Sequence, residues 1–153
     1  MSHSYVSQLI HCVFSTKQRR PIITPELQSR LFPYIGGIAR ENKMKLIAAG
    51  GMEDHVHLLI SMPKTLNISK AMQLIKGGSS KWVHDTFSEH RTFEWQEGYG
   101  AFSIGIGEVE RTVNYINTQE EHHREKDFKK EFISFLDLND SLYLFGRNIC
   151  LII

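Results

Sequence analysis

The chain has almost no cysteine, no leader-like start and no long apolar run. Its two thiols, Cys12 and Cys150, form neither a CxxC pair nor a disulfide framework. That argues against a structural zinc site and for inert thiols in a reducing, cytoplasmic setting. The opening Met1-Ser2-His3-Ser4 is not a basic region leading into an apolar stretch, and no segment approaches about eighteen consecutive apolar residues. Neither secretion nor a membrane partner is expected. Charge of one sign is also lacking, with 18 Lys+Arg against 17 Asp+Glu for a net +1. A basic coat for nucleic acid is therefore absent, and any polynucleotide would have to be gripped by a local patch. There is no internal repeat, low-complexity tract or linker.

What is present is an ordinary globular balance. With 41% hydrophobic and 23% charged residues over 153 positions, the chain can bury one core, and a single domain over residues 1–153 is expected. Tyr5 to Phe14 is rich in β-formers and predicts a first strand. Thr24-Pro25 supplies an N-cap with proline at the first helical position, and Leu27, Leu31, Tyr34 and Ile38 recur at helical spacing. Pro33 predicts a kink or restart in that helix, and Gly36-Gly37 weakens it.

Leu46 to Ala49 and Val56 to Ile60 read as two strands joined by the turn Gly50 to Asp54. A second helix follows Asn67 with Ile68, Ala71, Met72, Ile75, Ser79, Trp82 and Val83 on one stripe. Its Gly77-Gly78 pair suggests either a close approach or a break. Trp95 to Gly100 reads as a loop, Ala101 to Ile106 as a fourth strand, and a third helix starts near Glu108. On that helix Val109, Val113 and Ile116 form the core stripe, while Tyr115, Gln119 and His122 line another face. The order strand, helix, strand, strand, helix, strand predicts an α+β, ferredoxin-like βαββαβ sandwich with an additional C-terminal helix. The open sheet face would be covered by that helix and a partner subunit.

His55-Val56-His57 carries the chemistry. A strand displays both imidazoles on one face while Val56 points the other way. With eight histidines in 153 residues, shuffling alone gives roughly 0.4 such pairs, so the spacing needs support. Tyr115 and Gln119, four apart on one helical face, supply it by offering a ligand beside a nucleophile. Two basic stretches, Lys17-Gln18-Arg19-Arg20 and Lys76 to Lys81, are local candidates for phosphate contact.

Taken in order, these stretches resemble a family. They are His11 to Pro21, the Asp54-His55-Val56-His57 box, Lys76 to Trp82, Trp95 to Ser103, and Tyr115-Ile116-Asn117-Thr118-Gln119 followed by His122-His123. The resemblance, over roughly residues 5 to 143, is to the small single-tyrosine HUH transposases of bacterial insertion sequences and the related nucleases of repeat-associated elements. It implies a metal-dependent transposase acting on single-stranded DNA with hairpins at element ends, through a 5′-phosphotyrosine intermediate. His55, His57 and Gln119 would hold one Mg2+ or Mn2+, Tyr115 would be the nucleophile, and the protein would be a homodimer needing no nucleotide cofactor. Arg19, Arg20, Lys76 and Lys81 would contact phosphates. Two other readings fit the residues. One is a zinc hydrolase or hydratase using His55 and His57 with His11, His84 or His122. The other is a non-catalytic single-strand-binding module. The apolar tail Leu144 to Ile153 matches nothing in the family.

Overall fold

The computed structural model describes residues 3–119, 121, 130, 131, 133 and 134. The sequence expectations for His122 and for the apolar tail lie outside these residues. The elements run β1 (Leu9–Ser15), α1 (Pro25–Glu41), β2 (Lys45–Gly51), β3 (His55–Ser61), α2 (Ile68–Thr86), β4 (Gly100–Ile104) and α3 (Val109–Asn117). The four strands form one sheet in the order β2-β3-β1-β4, antiparallel at every pairing. This is the ferredoxin-like arrangement that the element order predicts.

Period-two alternation splits the sheet into two faces. Ile10, Cys12 and Phe14 of β1 with Val56, Leu58 and Ile60 of β3 join Leu27, Leu31 and Ile35 of α1 and Ala71, Met72 and Ile75 of α2 in one core. Burial holds the Cys12 thiol up at about 12, so it is an inert packing group. The opposite face carries His11, Val13 and Ser15 of β1 and His55, His57 and Leu59 of β3, all buried. Helix α3 lies over that face against β2 and β3.

Local capping follows the expectations. The Thr24 side chain accepts from the Leu27 amide at 3.2 Å, and the Asn67 side chain accepts from the Lys70 amide at 2.7 Å. Four boundaries and stripes differ. β1 begins at Leu9, where β3 and β4 first supply partners; Tyr5 and Val6 are exposed, because β-propensity without a neighbouring strand makes no ladder. β4 ends at Ile104, the residue opposite Leu9, and not at Ile106. α1 runs unbroken through Pro33, and its buried stripe is Leu27, Leu31, Ile35 and Ala39, with Tyr34 exposed. Packing of that stripe outweighs the missing proline amide. On α3 only Ile116 of the expected core stripe is buried, since the helix meets the sheet near its C-terminal end.

Two glycines mark close approaches. A Cβ on Gly50 of β2 would lie 2.1 Å from the Ile116 carbonyl oxygen of α3, and one on Gly78 of α2 would lie 2.9 Å from Cδ1 of Ile38 on α1. The first contact is with backbone, which cannot move without lifting α3 from the sheet. Gly77 has nothing within 4 Å of a built Cβ. Gly50→Ala should therefore destabilise by about 1–3 kcal/mol through overpacking, whereas Gly77→Ala should stabilise by about 0.5–1 kcal/mol through helix propensity. Urea unfolding of both variants checks this pair of opposite signs.

Candidate metal and tyrosine site

The site is built on the face beneath α3. In the β1–β3 ladder Ser15 stands opposite His55, Val13 opposite His57 and His11 opposite Leu59. The three imidazoles therefore lie on one face, His11 being a diagonal neighbour of His57. Ring centroids are 5.3 Å apart for His55 and His57 and 5.1 Å for His11 and His57. Tyr115 descends from α3 with its ring 5.7 Å from that of His57 and 6.2 Å from that of His11, edge-on at 70°. One chain thus brings the paired histidines and the tyrosine together.

Glu131 completes the group. Its Oε1 lies 2.9 Å from Nε2 of His57, and it accepts a short hydrogen bond from the Tyr115 hydroxyl. Potential ligand atoms of His55, His57 and Glu131 all fall within 4.8 Å of one another. Two imidazoles and a carboxylate at that separation suit one divalent cation. Gln119, just past the C-cap of α3, is buried, with its Nε2 donating to the Tyr115 carbonyl at 3.0 Å. Its Oε1 is buried without a hydrogen-bond partner among the described residues. A buried amide oxygen in that condition is costly in the absence of a cation or donor. His84 lies elsewhere, bonded to the Phe93 carbonyl from α2. His11 is outside that ligand group, and its Nε2 faces Nδ1 of His57 at 2.9 Å.

The electrostatics oppose a charge on His11 and favour one on Glu131. Burial, then the neighbouring His57, lowers His11 to about 3, against the pull of Glu131. Burial alone would raise Glu131, but the hydrogen bond and charge of His57, the Tyr115 hydroxyl and the charge of His55 outweigh it and hold the carboxyl at about 2. Burial and the Glu131 carboxylate push the Tyr115 phenol well above its usual range, with Gln119 opposing. The proton therefore stays on Tyr115 in this arrangement. At Asp54, burial is outweighed by the His55 hydrogen bond and by the charges of His55 and Arg19, so its carboxyl is lowered.

The family profile described as "Transposase IS200 like" matches residues 4–119. The chain belongs to the IS200-like transposase family. Relatives include the transposase of insertion sequence element IS200 from Salmonella typhimurium, 24% identical over 130 residues, covering 81% of this chain and 84% of that one. The ISDra2 transposase TnpA of Deinococcus radiodurans is 28% identical over 92 residues, covering 60% and 66%. Among solved structures, a chain from Deinococcus radiodurans R1 assigned as a transposase superposes with a TM-score of 0.64 at 21% identity, covering 76% of this chain and 97% of that one. A REP-associated tyrosine transposase bound to a REP hairpin superposes with a TM-score of 0.55 at 17% identity, covering 76% and 68%. The two structures share the fold. This transposase is thereby placed among enzymes that cut and transfer DNA. No helix among its described residues is long and apolar enough to cross a membrane.

Glu131 was not among the ligands expected from the sequence, and it lies beyond the family match. A single glutamate in a charged run carries no spacing signal; only the fold returns it to His57. The basic candidates also separate. Arg19 acts on Asp54 at the end of the sheet that holds His55, and the Arg20 guanidinium reaches the Thr92 hydroxyl at 3.5 Å. Lys76 and Lys81 lie on α2, against the opposite sheet face. Lys81 pairs with Asp85 at 2.8 Å, fully at the surface.

Lys76 is a strut. Its ammonium donates to the carbonyls of Gln96 and Gly98 at 2.7 and 2.6 Å, clamping the loop that leads into β4. Trp95 anchors the same loop, donating to Ser79 Oγ at 3.0 Å. Burial lowers Lys76 to about 8, against the charge of Glu97. A lowered lysine pKa means the unfolded chain binds more protons between about pH 8 and 10.5, so this group makes stability rise with pH across that window. Lys76→Met should remove that rise and lower stability at neutral pH by about 1–3 kcal/mol through the two abandoned carbonyls. Denaturant midpoints measured from pH 7 to 10.5 check both effects.

Proposed function

We propose that this chain cuts and rejoins single-stranded DNA through a covalent 5′-phosphotyrosine at Tyr115. A divalent cation would be held by His55 and His57 together with Glu131 and the Gln119 amide oxygen. The observation that supports this most is the meeting of the Tyr115 hydroxyl with His57 and Glu131 in one buried group. The donor set fits a cation of mixed nitrogen and oxygen preference, with Mn2+ more tolerant of imidazole than Mg2+. When bound, the cation would draw charge from a nonbridging phosphate oxygen and orient the 3′-oxygen leaving group.

The protein's own part is to hold and release a proton. Glu131 accepts the hydrogen bond from the Tyr115 hydroxyl and so orients it; the phenol proton, which so weak a base does not keep, passes to solvent as the cation and phosphate arrive. The phenolate oxygen forms a bond to phosphorus as the bond from phosphorus to the 3′-oxygen breaks. That oxygen takes up a proton from solvent and leaves as a free 3′-hydroxyl. The phosphotyrosyl ester conserves the broken bond, so a second 3′-hydroxyl can reverse the step without nucleotide hydrolysis.

The expected partner is single-stranded DNA that carries a hairpin, in keeping with the REP hairpin bound by one structural relative. Arg19 and Arg20 are the cations assigned to its phosphates. Lys81 would serve only after leaving Asp85, and Lys76 only after leaving its two carbonyls. The resemblance extends this reading to a homodimer. Incubation with labelled hairpin-bearing single-stranded DNA and Mn2+ should yield a protein-bound fragment on denaturing gels. Tyr115→Phe should abolish that fragment while hairpin binding persists; an adduct that survives the substitution rules out Tyr115 as nucleophile.

A further inference from the structure

The following rests on the reading that His55 and His57 hold a cation. An imidazole ligates through one nitrogen, and the proton on its other nitrogen needs an acceptor that fixes the ring's tautomer and tilt. For His55 that acceptor is Asp54, whose Oδ1 is 2.7 Å from Nδ1. At Nδ1 of His57, the atom 2.9 Å away is Nε2 of His11. His11 reaches it diagonally across the ladder from β1, and both rings are buried. The same His11 ring packs edge-on against Tyr115.

We propose that His11 is a positioning residue, whose Nε2 accepts the Nδ1 proton of His57 and so directs Nε2 of His57 at the cation, while its ring fixes Tyr115 beside it. A merely space-filling role would not need an imidazole. Val13 and Leu59 occupy the same sheet face as buried apolar residues, and a buried ring nitrogen is unfavourable against an apolar substitute unless its hydrogen bond is used. His11 is not among the residues whose ligand atoms cluster, and its Nε2 is turned to His57.

Mn2+ titration of the full chain, with free Mn2+ read by electron paramagnetic resonance, tests the assignment without DNA or turnover. His11→Leu should weaken Mn2+ binding by about 10–100-fold. His11→Gln, which sets an amide oxygen near the position of Nε2, should recover most of that loss. Equal affinity for wild type and His11→Leu overturns the proposal, as does an equal loss in both variants. A wild-type chain that binds no Mn2+ removes the cation reading itself, and this inference with it. Should His11→Leu fail to fold by circular dichroism, nitrogen-15 spectra of the Zn2+-loaded wild type decide. A protonated Nδ1 of His57 coupled to an unprotonated Nε2 of His11 is expected; a proton on Nε2 of His11 contradicts it.

Discussion

The register of β1 against β3 is the constraint on which everything else depends. It sets Val13 opposite His57 and Ser15 opposite His55, so that three imidazoles share the face under α3. A slip of β1 by one residue would turn His11 into the apolar core and bring Cys12 and Phe14 out beneath the helix. Two buried faces of opposite character prevent that slip. One demands large apolar side chains against α1 and α2, and the other demands hydrogen-bonding partners for His11, His57 and Glu131. Specificity of register and assembly of the site are one and the same requirement.

The close seat of α3 follows from that frame. Gly50 lets the Ile116 backbone rest directly on β2, and a buried Ile116 then points Tyr115, one residue earlier, towards the histidines. The hydroxyl meets a carboxylate that has been made a weak base by its own neighbours, so the nucleophile is retained as a phenol until charge arrives nearby. A polar cluster of this kind contributes little net stability, since each group must be desolvated before its partner compensates. Its value lies in fixing directions: Asp54 and His11 hold the outer nitrogens of two rings whose inner nitrogens face a common point.

Much of this was legible in the chain. Period-two patterning around Val56 and the caps at Thr24 and Asn67 carry enough local signal to order the elements, and element order determines the sheet. The His55–His57 spacing and the Tyr115–Gln119 offset are local geometry as well, and the structure brings Tyr115 to the histidines. What escaped is non-local. Glu131 is one carboxylate in a run of charges, 74 positions from His57, and no periodicity distinguishes it. His11 reads in the sequence only as a possible zinc ligand, because a diagonal strand contact depends on a register that sequence patterning does not supply. Lys76 resembles any phosphate-binding lysine until its two carbonyl partners are seen. The uninterrupted course of α1 through Pro33 likewise required knowledge of the core it packs against.

The proposed chemistry requires His55, His57, Glu131 and Tyr115 to surround one cation position. Anomalous diffraction at the manganese edge, from crystals soaked in Mn2+, tests it most directly. A single strong peak is expected within about 2.4 Å of an imidazole nitrogen of both His55 and His57, with the Tyr115 hydroxyl beside it. A peak elsewhere on the protein, with these two histidines bare, would contradict it.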